Sequence, residues 1–436
     1  MKNSRNSKKP YKNTSKSVKS DNVLNSRINN NKNNKINNMK NSPKNSSKKI
    51  YLDYASTTPI DEEILRGMLP YFDKKYANPS SMYESGRLAQ NIIEESRKKI
   101  AKVINSKSDE IIFTGSGTES DNLAILGIAR AYKNKGNHII VSAIEHKAVL
   151  QSVKSLEKEG FEISILEVDK DGMIDIKKCI SMIKKETILI SIMYANNEIG
   201  TIEPIKDLAK AIKEYRGVNA LPLLHTDACQ AVGYLNIDTD KLGIDLMTIN
   251  SSKIYGPKGI GMLYKKANVN IEPIIYGGSQ ERGIRAGTEN IALIQGFAEA
   301  LIKSEKNREK ESERLRRLQQ YFMTELKKRI PNIEFNGHLK YRLPNNIHIS
   351  IPSVEGESML LMLDKENIEV STGSACGAFD LKPSHVLLAI HQNEEIIHGS
   401  IRFSLGKYTN KKELDYVLKV FPPIVEKLKN LSAIRK

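Results

Sequence analysis

A chain of 436 residues, 39% of them hydrophobic, can bury one large core and a second, smaller one, while no window offers the roughly 18 consecutive apolar residues of a membrane span. The formal net charge of +17 is unevenly held: residues 1–50 carry 14 Lys/Arg against a single acid, Asp21, a net +13 that leaves +4 for everything after them. Three cysteines, Cys179, Cys229 and Cys376, exclude a disulfide framework, lack metal-site spacing and fit a reducing compartment.

Residues 1–49 are Asn-, Lys- and Ser-rich, with 14 Asn in the first 50 positions and no periodic apolar residues. Such a segment cannot bury enough surface to offset its ordering entropy, so it reads as a disordered, solvated extension. A basic arm touching RNA or another polyanion is the second reading, and nucleic-acid binding is confined to this segment. An organelle-targeting segment is the third, although no amphipathic helix is visible. A start at Met39 is compatible with folded sequence that begins about ten residues later.

After residue 50, short apolar runs alternate with helical stretches. Strands are expected at 110–114, 138–142, 162–166, 187–194, 221–226, 245–249 and 260–264, with helices at 84–104, 119–133, 146–159, 174–185 and 205–215 between them. This alternation predicts an α/β fold, a mostly parallel sheet with helices on both faces, whose ligands lie at the carboxyl ends of the strands. A long charged helix at about 303–329, strands at 345–351, 368–371 and 400–405, and a final helix near 411–431 predict a smaller α+β domain.

Four constellations carry chemistry. Thr114 to Ser120 follows a strand and enters a helix; its small residues and the helix N-terminus outline a phosphate site, or else a plain structural turn. Asp227 ends a strand with Gln230 three residues on; a buried carboxylate there suits a protonated pyridine nitrogen, or caps a helix. Lys253 follows Asn250-Ser251-Ser252 and precedes a Gly-Pro turn, and partial burial or a nearby cation would ready it to form an imine. Lys258, in the turn itself, reads as solvated. Cys376 sits in Ser371 to Ala378, a run of small residues that gives a thiol access but little packing. Cys179 falls in an amphipathic helix and reads as core, and Cys229 as packed beside Asp227.

With these motifs in order, the folded part resembles the NifS/IscS-type cysteine desulfurases, within the class V aminotransferase group of fold-type-I pyridoxal-phosphate enzymes. The resemblance runs from Tyr51-Leu52-Asp53-Tyr54-Ala55 to about residue 431. It includes Phe113 to Leu123, Glu145-His146-Lys147, Asn196 to Gly200, Lys253 to Gly261, Glu281 to Thr288, Ser374-Ala375-Cys376 and Ser400 to Ser404. It implies a tail at 1–49, a segment at 50–62 joining the small domain, a large cofactor-binding domain at 63–305 and a small domain at 306–436 carrying the cysteine. It implies conversion of L-cysteine to L-alanine, with pyridoxal 5'-phosphate as cofactor and a persulfide on Cys376.

Residue by residue, the resemblance makes Lys253 the Schiff-base lysine and His146 the ring-stacking residue that assists proton transfer. Asp227 faces the pyridine nitrogen and Gln230 the phenolic oxygen. Gly117 and Thr118 hold the phosphate, with Asn250 and Ser252 as further cofactor contacts. Thr288 reaches the cofactor of a neighbouring subunit in a homodimer. Asn197 and Arg402 fix the substrate carboxylate; without the resemblance, Arg402 on a strand reads as a surface charge. No metal is resident, Cys376 being at most a transient iron–sulfur ligand.

Three features depart from the family pattern: Ser252 stands where a His usually precedes the lysine, Tyr83 where a His follows Asn78 to Ser81, and the chain ends about five residues past Leu431. The last leaves docking to an IscU-type scaffold unsupported, and a general sulfur-donor role equally implied. The acceptor is an iron–sulfur scaffold or a tRNA-thiolation enzyme, the location cytoplasmic, or an organelle matrix if the tail is a targeting segment. The rival activities are those of a selenocysteine lyase or an aminotransferase; from another class, nucleic-acid binding by the tail. The long loop at 377–384 and the thiol at its head favour the desulfurase.

Overall fold

The structure is a computed structural model that describes residues 49–372, 383–390 and 394–431. The tail at 1–48 lies outside them; Ile50–Lys436 forms one compact unit. Among the described residues, no helix is long and apolar enough to cross a membrane.

Seven strands make the main sheet: β2 (Ile111–Thr114), β3 (His138–Ser142), β4 (Glu162–Leu166), β5 (Thr187–Ser191), β6 (Leu223–Asp227), β7 (Leu246–Asn250) and β8 (Gly261–Lys265), in the order β2-β8-β7-β6-β5-β3-β4. All pairings are parallel except those of β8, which runs against both β7 and β2. The two faces are legible in single strands. In β3, Ile140 joins one apolar cluster with Ile190, Leu224 and Met247, whereas Ile139 and Val141 join another with Leu189 and Leu223. The inner strands, buried on both faces, read as apolar runs and were visible in the sequence for that reason, whereas the edge strand β4 is exposed at Glu162 and Ile165.

A second, antiparallel sheet consists of β9 (Glu334–Phe335), β10 (Asn346–Ser350) and β12 (Ser400–Ser404), and β1 (Ile50–Tyr51) pairs with β11 (Ile368–Glu369). Its core centres on Phe322, Phe403 and Phe421, packed edge-on at centroid distances of 5.3 and 5.5 Å. The helix Ile291–Arg329 serves both cores: Ile294, Phe297 and Leu301 pack on the main sheet, Leu315, Phe322 and Leu326 on the second. One continuous helix therefore crosses the 305/306 boundary, and it begins well before the expected residue 303 because its first turns are apolar rather than charged.

Candidate active site

The carboxyl ends of the parallel strands converge on a cavity of about 290 Å³. At the end of β2, Thr114 leads into a turn whose Ser116 Oγ accepts from Glu119 N at 3.1 Å, capping the helix that starts at Gly117. The first amides of a helix have no partner within it, and Gly117 and Thr118, which carry two of them, line the cavity. A Cβ on Gly117 would lie 2.8 Å from Cys229 Sγ and 3.2 Å from Asn250 Nδ2, so only glycine fits this wall. Asn250 Oδ1, on the same wall, is buried without a hydrogen bond.

Beyond β3, His146 caps the helix Lys147–Glu157, its Nδ1 accepting from Ala148 N at 3.1 Å, which puts the proton of a neutral ring on Nε2. Its neighbour Glu145 is fully buried. Ser142 Oγ and Met193 N donate to Oε1 at 2.6 and 2.7 Å, and burial pushes the carboxyl from 4.5 up to about 8. At the end of β6, Asp227 is 7% exposed and its Oδ1 accepts from Cys229 N at 2.9 Å, so the carboxylate both caps the turn and lines the cavity. Behind it, Asp121 is held well above the ordinary carboxylate range by burial and then by the Asp227 charge.

Past β7, a short turn at Ser251–Lys253 carries the lysine into the cavity, where its Nζ donates to Ser56 O at 2.5 Å. Gln230 Nε2 donates to Ala55 O at 2.9 Å, so the segment after β1 roofs the site. Arg402, on β12, is 2% exposed rather than a surface charge. It donates to Asn197 O at 2.7 Å, Asp53 Oδ1 at 2.7 Å and Ser56 Oγ at 2.8 Å. A strand position says nothing of what closes over the strand; here the Asp53–Ser56 segment does.

The cavity thus brings together Gly117, Thr118, His146, Asn197, Asp227, Gln230, Asn250, Lys253 and Arg402. Two expected contacts lie off its wall. Ser252 turns its carbonyl to Thr58, accepting from N at 2.9 Å and Oγ1 at 3.0 Å, and Thr288 is exposed. Lys258 is exposed, yet its Nζ donates to Thr58 O at 2.5 Å and burial lowers its pKa. Tyr83 is exposed at the start of the helix Glu84–Val103. Asp53, Ser56, Asp121 and His385 were not anticipated. Asp121 lies within the Phe113 to Leu123 motif, but a carboxyl whose pKa is raised by burial is visible only once that burial is known.

Cys376 lies outside the described residues; the described residues on either side of its segment make contacts at this site. Before it, Ser371 pairs with Arg402 through backbone bonds of 3.2 and 2.6 Å. After it, Ser384 Oγ donates to Glu198 Oε2 at 2.5 Å, and His385, which lines the cavity, bonds Glu145 O through Nε2 at 2.9 Å. Five residues from Ser371 reach at most about 17 Å. Of the other thiols, Cys179 is buried and raised to about 12; burial and then the Asp227 charge raise Cys229 well above its ordinary value.

The class-V aminotransferase family model matches residues 50–417. A cysteine desulfurase IscS from Dictyoglomus turgidum is 51% identical over 389 residues, which covers 89% of this chain and 98% of that one. One from Methanosarcina thermophila is 46% identical over 388 residues, covering 89% and 95%. Among solved structures, a NifS-like protein superposes with a TM-score of 0.82 at 33% identity, over 87% of this chain and all of that one. A structure described as SspA in complex with cysteine gives 0.73 at 33% identity, over 83% and 100%. The chain belongs to the class V aminotransferase family, among its NifS/IscS-type cysteine desulfurases.

Proposed function

We propose that this protein is a pyridoxal-phosphate-dependent cysteine desulfurase, which takes sulfur from L-cysteine onto Cys376 and releases L-alanine. The observation that carries this is the shared cavity: Lys253, Asp227, His146 and Arg402 line one space, with His385 on its wall and Ser371 bonded to Arg402. The cavity suits the cofactor. Gly117 and Thr118 offer helix-start amides to a phosphate, Asn250 Oδ1 is an unfilled acceptor, and Asp227 is a buried carboxylate for a protonated ring nitrogen.

When bound, the cofactor supplies an electron sink for charge developing at the substrate α-carbon. Lys253 would hold the cofactor, and its Nζ would move the α-proton. His146, which lines the same cavity, would share in proton transfer through Nε2. Arg402 and Asn197 hold the substrate carboxylate and so fix where its sulfur points. The Cys376 thiolate then forms an S–S bond with the substrate sulfur as the C–S bond breaks. The electron pair stays on the three-carbon fragment, which takes up a proton and leaves as alanine. An unperturbed thiol, with pKa near 8.5, is only a few per cent thiolate at neutral pH, so a site group must take its proton.

The persulfide would serve iron–sulfur cluster assembly or tRNA thiolation in the cytoplasm, a compartment that keeps the thiol reduced. Two domains, meeting near residue 305, and a homodimer complete the proposal, with Thr288 of each subunit reaching the other's phosphate site. Exposed Leu69, Phe72, Tyr76, Met82 and Tyr276 supply apolar surface for such an interface. The test is an assay of purified protein, loaded with pyridoxal phosphate and supplied with cysteine and a thiol reductant, for equal yields of alanine and sulfide. Alanine without sulfide, or neither product, refutes the proposal.

A further inference from the structure

A second cavity, of about 450 Å³, lies behind the catalytic lysine, within the range of small-molecule sites. Lys253 belongs to the walls of both cavities. The floor of the second is apolar, made by Ile64, Val232, Ile254 and Ala300 with the rings of Tyr234 and Tyr255. One side is a single face of the helix Ile291–Arg329, where positions 300, 303, 307, 310, 314 and 317 recur at helical spacing.

That face is cationic beyond what its acids offset. Asp61 is engaged twice, by Lys303 at 2.9 Å and Lys407 at 2.5 Å; Lys303 also meets the largely exposed Glu63 at 2.7 Å, and Glu311 is held by Arg314 at 2.7 Å. Lys310 and Arg317 add positive charge at the same wall. The acid nearest Arg317, Glu313, is 3.4 Å away and largely exposed, where a pair contributes little. Besides Lys253, five cations thus meet two carboxylates of the wall over an apolar floor. The complementary occupant is a small anion with a flat apolar body, of aryl carboxylate or aryl sulfonate type.

The cavity also joins the elements that position the catalytic groups. Tyr255, two residues from Lys253, holds a left-handed backbone at φ 63°, which a non-glycine residue adopts only under the constraint of its contacts. Those contacts are Tyr255 N donating to Thr58 Oγ1 at 2.8 Å and Lys407 N donating to the Tyr255 hydroxyl at 2.6 Å. Arg314 donates to Gly406 O at 2.9 Å and Thr409 O at 2.8 Å, in the loop that leaves the strand bearing Arg402. An occupant would therefore bear on the Lys253 turn from one side and on the Arg402 strand's exit loop from another.

We propose that this second cavity is an effector site for a small anion with a flat apolar body, whose occupancy changes turnover through the shared Lys253–Tyr255 wall. The test uses the full-length holoenzyme, with anilinonaphthalene sulfonate as the probe and calorimetry as the readout. Three proteins are compared: wild type, Asn307→Trp, which places a large ring over the mouth from an exposed helix position, and Lys310→Glu, which reverses one charge. The probe should bind wild type at one site per chain, about tenfold more weakly to Lys310→Glu and not measurably to Asn307→Trp. At saturation it should change cysteine turnover of wild type at least twofold and leave that of Asn307→Trp alone. Equal binding to all three proteins overturns the site. Variant-sensitive binding with unchanged wild-type turnover overturns the effector role. The calorimetric arm stands whether or not the chain desulfurates cysteine, so failure of one proposal is not failure of the other.

Discussion

Arg402 donates to Asp53 Oδ1 at 2.7 Å, a contact between residues 349 positions apart that fastens the segment after β1 over β12. The guanidinium is thus oriented before substrate arrives, by Asp53 and Ser56 on one nitrogen and by Asn197 O on the other. Replacing the fork with a point charge should cost binding more than chemistry. Arg402→Lys should raise KM for cysteine by about 10- to 100-fold, the range of a lost charged hydrogen bond, with a smaller fall in kcat. Steady-state kinetics decide it; an unchanged KM would remove Arg402 from the substrate site.

Lys253 and Lys258 are both near the segment after β1, and both donate to its carbonyls at 2.5 Å, but only Lys253 lines the cavity. Borohydride reduction of the loaded enzyme should fix the cofactor on the peptide containing Lys253, and Lys253→Ala should fix none. Cofactor trapped on Lys258 in that variant would reverse the assignment.

Glu145 gives a pH signature. Its folded pKa, about 8, exceeds the ordinary 4.5, so between these values the folded chain binds the proton and the unfolded chain does not. Its contribution to stability is complete below about pH 4.5 and is lost as pH rises through 8. Glu145→Gln mimics the protonated acid permanently. Thermal melts should show the variant gaining on wild type as pH climbs from 5 to about 8, and a constant difference would mean Glu145 is ionised in the fold.

Most of this architecture was legible because the inner strands of the sheet are buried on both faces. The runs from Ile111, His138, Glu162, Thr187, Leu223, Leu246 and Gly261 became strands with ends shifted by a few residues at most. Two-residue β1 and β9 were invisible, since their pairing is decided by distant partners rather than by local pattern. In the site, strand-end residues such as Asp227 and Lys253 could be singled out from position and neighbours alone. The burial of Arg402, the clamp by Asp53 and the raised pKa of Asp121 could not, because each depends on what the fold packs together across the chain.

Residues 1–49 hold none of the candidate site residues. Deleting them should leave cysteine turnover within about twofold of wild type, as expected of a segment too polar to build a core. A tenfold loss would give the tail a part in catalysis.

The central claim is that Cys376 carries the sulfur. Cys179 and Cys229 are buried and held protonated, so neither offers a thiolate near neutral pH. After a brief pulse of cysteine and immediate alkylation, peptide mass spectrometry should place one extra sulfur on the peptide containing Cys376 and none on the other two. Cys376→Ala should bind cysteine yet release almost no sulfide. Extra sulfur on Cys229, or full sulfide release by Cys376→Ala, would contradict the mechanism.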